Sequence, residues 1–145
     1  MNHQITVNTQ PKTDLSRSQW VKLGLIAATA AIVAVLVVQA LAIALWPEIT
    51  LFRPLDSYVR SAIFTLAPAL GATALLAWLA GHVNQPVQRF ITISAIVLGV
   101  SIIPDYILPV EYKTFLASSV AAFLHVVAAS IIVFILAVGY QRQKG

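Results

Sequence analysis

The chain has 145 residues, 59% of them hydrophobic and only 10% charged, with nine Lys or Arg against five Asp or Glu. Mean hydropathy is +0.88, and soluble domains usually carry about 25% charged residues, so a water-soluble globule is excluded. The chain contains no cysteine, which removes disulfides, thiol redox chemistry, iron–sulfur clusters and thioether-linked haem.

Four apolar runs of about 22 residues each fill most of the chain and leave no room for a separate soluble domain. Residues 1–19 are polar and interrupted by Pro11, and they read as a flexible cytoplasmic tail. No secretory signal follows, because the next apolar run, 21–46, far exceeds a signal core of about 7–15 residues. Further runs predict helices over about 58–81, 87–109 and 113–138, with 141–145 as a second tail. Short connections make neighbouring helices antiparallel. The expected fold is therefore all-α: a transmembrane four-helix bundle forming one membrane domain over 20–140.

The chain's pI is about 9.8, yet its basic residues stand singly at the ends of apolar runs. They form no nucleic-acid patch and read instead as topology and lipid-headgroup contacts. Lys12, Arg17, Lys22, Arg89, Arg142 and Lys144 fall on one side, and Arg53, Arg60 and Lys113 on the other. That bias places both termini in the cytoplasm and the protein in the plasma (inner) membrane. Trp20, Trp78 and Tyr140 mark the inner boundary, and Trp46, Tyr58, Tyr106 and Tyr112 the outer one.

Helical periodicity picks out the inward faces. On helix four, Ser118, Ala121, Ala122, His125, Ala128 and Ala129 share one side. Leu116, Val120, Phe123, Val127, Ile131 and Phe134 occupy the opposite side and are expected to face lipid. Helix three aligns Ser94, Leu98, Ser101 and Asp105; helix two aligns Ser61, Thr65, Pro68, Ala69 and Ala72; helix one offers Gln39 above Gly24 and Ala28. Counting about 1.5 Å per residue from the outer boundary puts Asp105 roughly 6–8 Å deep, Thr65 roughly 9 Å, Gln39 roughly 10 Å and His125 roughly 16 Å. These residues outline an outward-facing pocket with His125 at its floor.

Ionisable groups inside a membrane are functional candidates because burying a charge is costly. The candidate ligand-binding or proton-site residues are His125, Asp105, Gln39, Thr65, Ser101 and Ser118, with Arg60 or Lys113 as ion-pair partner for Asp105. His125 suits a structural hydrogen bond, a carbonyl-bearing ligand, a proton relay or, less readily, a haem or chlorophyll-type ligand. The three histidines are too scattered for a zinc motif, and no metal site is expected. No catalytic motif is recognisable, so the chain reads as a nonenzyme. It fits an accessory or scaffold subunit of a membrane complex, or a binder of a small lipophilic ligand. The alternative is an oligomeric proton-linked small-molecule transporter using Asp105 and His125.

The segments WVKLGLIAATAAIVAVLVVQ, SIIPDY and FLHVVAASIIVFIL resemble a family of small bacterial four-helix membrane proteins known only as a domain of unknown function. The resemblance covers about residues 20–138. It implies a four-helix fold in a prokaryotic inner membrane and implies no activity.

Overall fold

Ser16 sets where the first helix begins. Its hydroxyl accepts from the Gln19 amide at 3.3 Å, and the Gln19 side chain accepts from the Ser16 amide at 2.7 Å. This reciprocal capping box satisfies two otherwise orphan amides and starts the helix four residues before the apolar run. The computed structural model describes residues 15–144; the tail reading over 1–14 lies outside the described residues, as do His3 and Lys12.

Four helices follow: α1 Arg17–Leu45, α2 Tyr58–His82, α3 Pro86–Ile107 and α4 Phe115–Lys144. A bilayer core needs about 20 residues of helix, and the four contain 29, 25, 22 and 30 residues, all apolar enough to span it. Between α1 and α2 lie two 3-10 turns, Pro47–Leu51 and Arg53–Leu55. The Ser57 hydroxyl caps α2 by accepting from the Arg60 amide. Helix α3 stops before Pro109 because a residue preceding proline is pushed out of the helical region. Helix α4 runs six residues past its predicted end, so Gln141–Lys144 is helix rather than tail.

Helix α1 lies at the centre, packed against α2 and α4, while α3 rests on α4 and α2. Its buried stripe, Gly24, Ala28, Ala31, Val35, Gln39 and Ala42, recurs every three or four residues. Small side chains there let backbones approach closely, which is how helices associate in lipid. A Cβ on Gly24 would stand 2.9 Å from Thr73 Cγ2 of α2, and one on Gly139 of α4 would overlap Leu23 Cδ1 of α1. Helix α3 buries only Pro86 and Phe90 and exposes Ile91, Ile96, Val97, Val100, Ile103 and Ile107. An aqueous protein could not leave such a surface uncovered; acyl chains cover it readily.

Two apolar clusters fill the interior. One joins Leu23, Ala27, Leu76, Leu79, Phe90, Leu136 and Tyr140 near the start of α1 and the end of α4. The other joins Val35, Ala42, Ala117, Val120 and Leu124 to Ile49, Phe52 and Leu55 of the connection between α1 and α2. Those three loop residues are each 1% exposed, so the connection is a stopper over that end of the bundle.

Five residues lie otherwise than the periodicity and belt positions predict. Val120 is buried, and Leu116 and Val127 pack on the second cluster rather than facing outward. Helix α4 is covered by α1 on one flank and α3 on the other, leaving only a narrow exposed line through Phe123, Val126, Ser130 and Phe134. Tyr140, expected at the lipid boundary, is buried and stacks on Trp20 at 5.6 Å between ring centroids. Pro68 lies on the exposed side of α2, not with Thr65 and Ala69 on its buried side.

The close approach at Gly24 generates a first test. Gly24→Leu forces α1 and α2 apart and is expected to lower unfolding stability by about 1–3 kcal/mol, read by denaturation in mild detergent. Gly99→Leu, where an added Cβ meets open space, should leave stability within experimental error.

Candidate functional site

Pro104 lacks an amide hydrogen, so the Val100 carbonyl loses its helical partner one turn before α3 ends. Helix α3 nevertheless continues to Ile107, and Asp105 turns onto its α4-facing side. The Ser118 hydroxyl of α4 donates to the Asp105 backbone carbonyl at 2.6 Å, and the Tyr106 hydroxyl donates to Ser119 Oγ at 3.2 Å. Lys113 Nζ donates to the Tyr106 and Leu108 carbonyls, each at 2.9 Å. The bonds from Ser118 and Lys113 satisfy carbonyls at the end of α3 that would otherwise lack partners, and those from Ser118 and to Ser119 fix α3 against α4.

In that seam the Asp105 carboxylate meets the His125 imidazole, with Oδ2 3.4 Å from Nε2. The Asp105 side chain is 11% exposed and the His125 side chain 43%. Oδ2 is fully buried and accepts no well-formed hydrogen bond. An acceptor left this way costs about 1–3 kcal/mol, more when it is charged. The pair thus has unused hydrogen-bonding capacity beside a ring edge that opens to the outside of the bundle.

The predicted site residues divide. Asp105, His125 and Ser118 come together at the α3–α4 seam. Ser101 shares their face of α3, but its hydroxyl donates to Leu98 O at 2.8 Å. Thr65 is buried in α2 and donates to Ser61 O at 2.8 Å. Gln39 is wholly buried in α1, with Nε2 donating to the Leu55 carbonyl at 3.1 Å and Oε1 left without a partner. It staples the 3-10 stopper to the bundle. With Ile49, Phe52 and Leu55 seated above it, Gln39 does not line an open pocket. Two shallow surface depressions, one beside Tyr140 and one along α1 from Leu25 to Ala34, include none of the six candidates.

Arg60 does not reach Asp105. It pairs with Asp56 at 2.5 Å, one turn away in sequence, and also donates to the Arg53 carbonyl. Lys113 is engaged by the end of α3, as above. His82 bonds through Nδ1 to the Trp78 carbonyl at 2.7 Å and stacks on the Trp78 ring. Among the described residues, no three His, Asp or Glu side chains converge as a metal site would require.

His125, expected to point into the bundle at the floor of an outward-opening pocket, instead keeps 43% of its side chain exposed at the α3–α4 seam, and neither its contact with Asp105 nor the Gln39–Leu55 staple was expected from the sequence. The depth estimate separated the two ionisable groups by nearly two helical turns. Side-chain length and the lean of each Cα–Cβ bond toward its own helix N-terminus close that gap. A staple to a backbone carbonyl has no sequence signature.

A family model described as a family of unknown function (DUF6069) matches residues 15–142. The chain belongs to this family. The match spans α1 to α4 nearly end to end, so the whole four-helix unit, the Asp105–His125 seam included, lies within the family's shared region. No curated protein and no solved structure matched the chain. Membership therefore brings no activity with it, and a functional reading rests on the seam itself.

The Gln39 staple gives a second test. Gln39→Ala removes the bond to Leu55 and is expected to speed amide hydrogen exchange at Phe52 and Leu55 about tenfold, the size of one lost buried hydrogen bond. Exchange in the middle of α1 should be unchanged.

Proposed function

We propose that this protein is a noncatalytic membrane binder. Its Asp105–His125 pair receives the polar head of a small lipophilic molecule entering from the bilayer between α3 and α4. One observation carries the reading: a buried carboxylate oxygen without a hydrogen bond lies beside an imidazole that is 43% exposed. A polar ring turned toward acyl chains is unfavourable unless something covers it. The ligand's polar head can hydrogen-bond the exposed His125 imidazole, with the Asp105 carboxylate buried behind it, and its apolar body can lie along the exposed line of α4 at Phe123 and Val126.

This reading takes the helices to alternate in direction across the bilayer, with both termini in the cytoplasm and α1–α4 spanning an inner membrane. In antiparallel neighbours, Asp105 leans inward along α3 and His125 leans outward along α4, which supports their meeting. The basic Arg17, Lys22, Arg89, Arg142 and Lys144 cluster at the proposed cytoplasmic end, in keeping with the usual charge bias. An accessory role in a larger complex is compatible with the same site, the polar head then belonging to a partner.

A second reading draws on the pair's ability to share a proton: proton-linked transport by an oligomer. The interior of one copy is filled by Ala27, Ala31, Ala69, Leu76 and Leu136, so a passage would have to lie between copies. Uptake driven by a proton gradient and abolished by Asp105→Asn would favour transport over binding.

The test is native mass spectrometry with an absorbance spectrum on protein extracted in mild detergent. A lipophile retained by the native chain and lost from both His125→Ala and Asp105→Asn is the expected result. Equal retention by all three, with their helical content intact, would contradict the reading.

A further inference from the structure

At the opposite end of the molecule, the first turns of α3 and the last turn of α4 flank an open surface groove of about 680 Å³. Gln85, Gln88, Gln141 and Lys144 line its polar part, and Val87 and Ile91 its apolar part. Tyr140 also lines it and is only 3% exposed. Its ring stacks on Trp20 at 5.6 Å and lies 5.7 Å from the Lys144 ammonium. Its hydroxyl makes no hydrogen bond to any described residue, although it is not sealed inside the protein. A buried tyrosine usually brings its hydroxyl to a partner, and Tyr140 lines the groove.

The surroundings carry one sign of charge. Arg17, Lys22, Arg89, Arg142 and Lys144 lie in the end turns of α1, α3 and α4 here. Among the described residues every carboxylate, Glu48, Asp56, Asp105 and Glu111, lies toward the other end. The first-turn amides of α3 receive no side-chain cap from Gln85, so they add donors to the same edge.

From these features we infer that the groove is a binding site for one anionic phospholipid. Its phosphate accepts hydrogen bonds from the Tyr140 hydroxyl and Lys144 Nζ, the glutamine side chains contact the headgroup, and an acyl chain follows Val87 and Ile91. A soluble phosphate would not use the apolar part of the groove. The Tyr140 ring is held by its stack on Trp20 before binding, which limits the ordering cost. The site is separate from the Asp105–His125 seam and does not depend on that pair having a ligand.

Full-length protein equilibrated with equimolar phosphatidylglycerol and phosphatidylcholine in detergent, followed by native mass spectrometry, tests this directly. The native chain is expected to retain one phosphatidylglycerol in preference to phosphatidylcholine. Tyr140→Phe and Lys144→Gln should each weaken that retention about five- to tenfold, the size of a lost charge-assisted hydrogen bond. Arg142→Gln removes the same charge outside the groove and should change retention less than twofold. Three results would overturn the proposal: no preference between the lipids, an Arg142→Gln effect equal to that of Lys144→Gln, or displacement of the lipid by millimolar inorganic phosphate. Tyr140→Phe keeps the ring that stacks on Trp20, and Lys144 is exposed, so both variants should fold; circular dichroism verifies it.

Discussion

Close backbone approach along α1 is the constraint on which the rest of the structure depends. Lipid offers helices no hydrophobic reason to leave it, so association rests on packing and on hydrogen bonds between helices. Gly24, Ala27, Ala28 and Ala31 supply a surface low enough for α2 and α4 to lie against α1, and Gly139 does the same from the α4 side. Bulk at these points would move two neighbours at once. Helix α3, which touches α2 and α4, would then lose the seam that aligns Asp105 with His125.

Polar groups within the helices follow from the same economy of space. Thr65, Thr73 and Ser101 turn their hydroxyls back onto carbonyls of their own helices, which needs no neighbour. Ser118 and Gln39 instead bridge elements, one tying α4 to the Asp105 carbonyl and the other tying α1 to the loop at Leu55. Two buried acceptors remain unfilled among the described residues, Gln39 Oε1 and Asp105 Oδ2. Gln39 is sealed from all sides, so its free acceptor has no access to a ligand. Asp105 Oδ2 is equally buried, but its neighbour His125 reaches the outer surface, and this makes the α3–α4 seam the candidate site.

Much of this was legible in the sequence. Apolar length alone gives four helices, and periodicity of three and four puts Gly24, Ala28 and Gln39 on one buried stripe, as well as Ser101 and Asp105 on the inner side of α3. The errors have definite causes. Periodicity predicts a two-faced α4, inside against lipid, whereas a helix flanked by two neighbours is covered over most of its circumference, which is why Val120 is buried. Asp105 was matched with cations by level in the membrane, yet Arg60 is engaged by Asp56 one turn away and Lys113 by carbonyls at the end of α3. An open outer pocket was inferred from polar residues without allowing for the connection: Ile49, Phe52 and Leu55 are spaced by three, and two 3-10 turns bring all three down onto the bundle.

His125 presents its part-exposed ring at the outer edge of a packed bundle, where acyl chains rather than a water-filled interior would meet it. Because the chain has no cysteine, a single spin label can be placed at position 125 in His125→Cys and compared with one in Ala121→Cys. In reconstituted vesicles the label at 125 should be relaxed by lipid-soluble oxygen and not by a water-soluble nickel chelate, while the label at 121 should be shielded from both. Shielding from both agents at 125 would return the histidine to the interior, and relaxation by the nickel chelate would mean an aqueous pocket; either result would contradict the account.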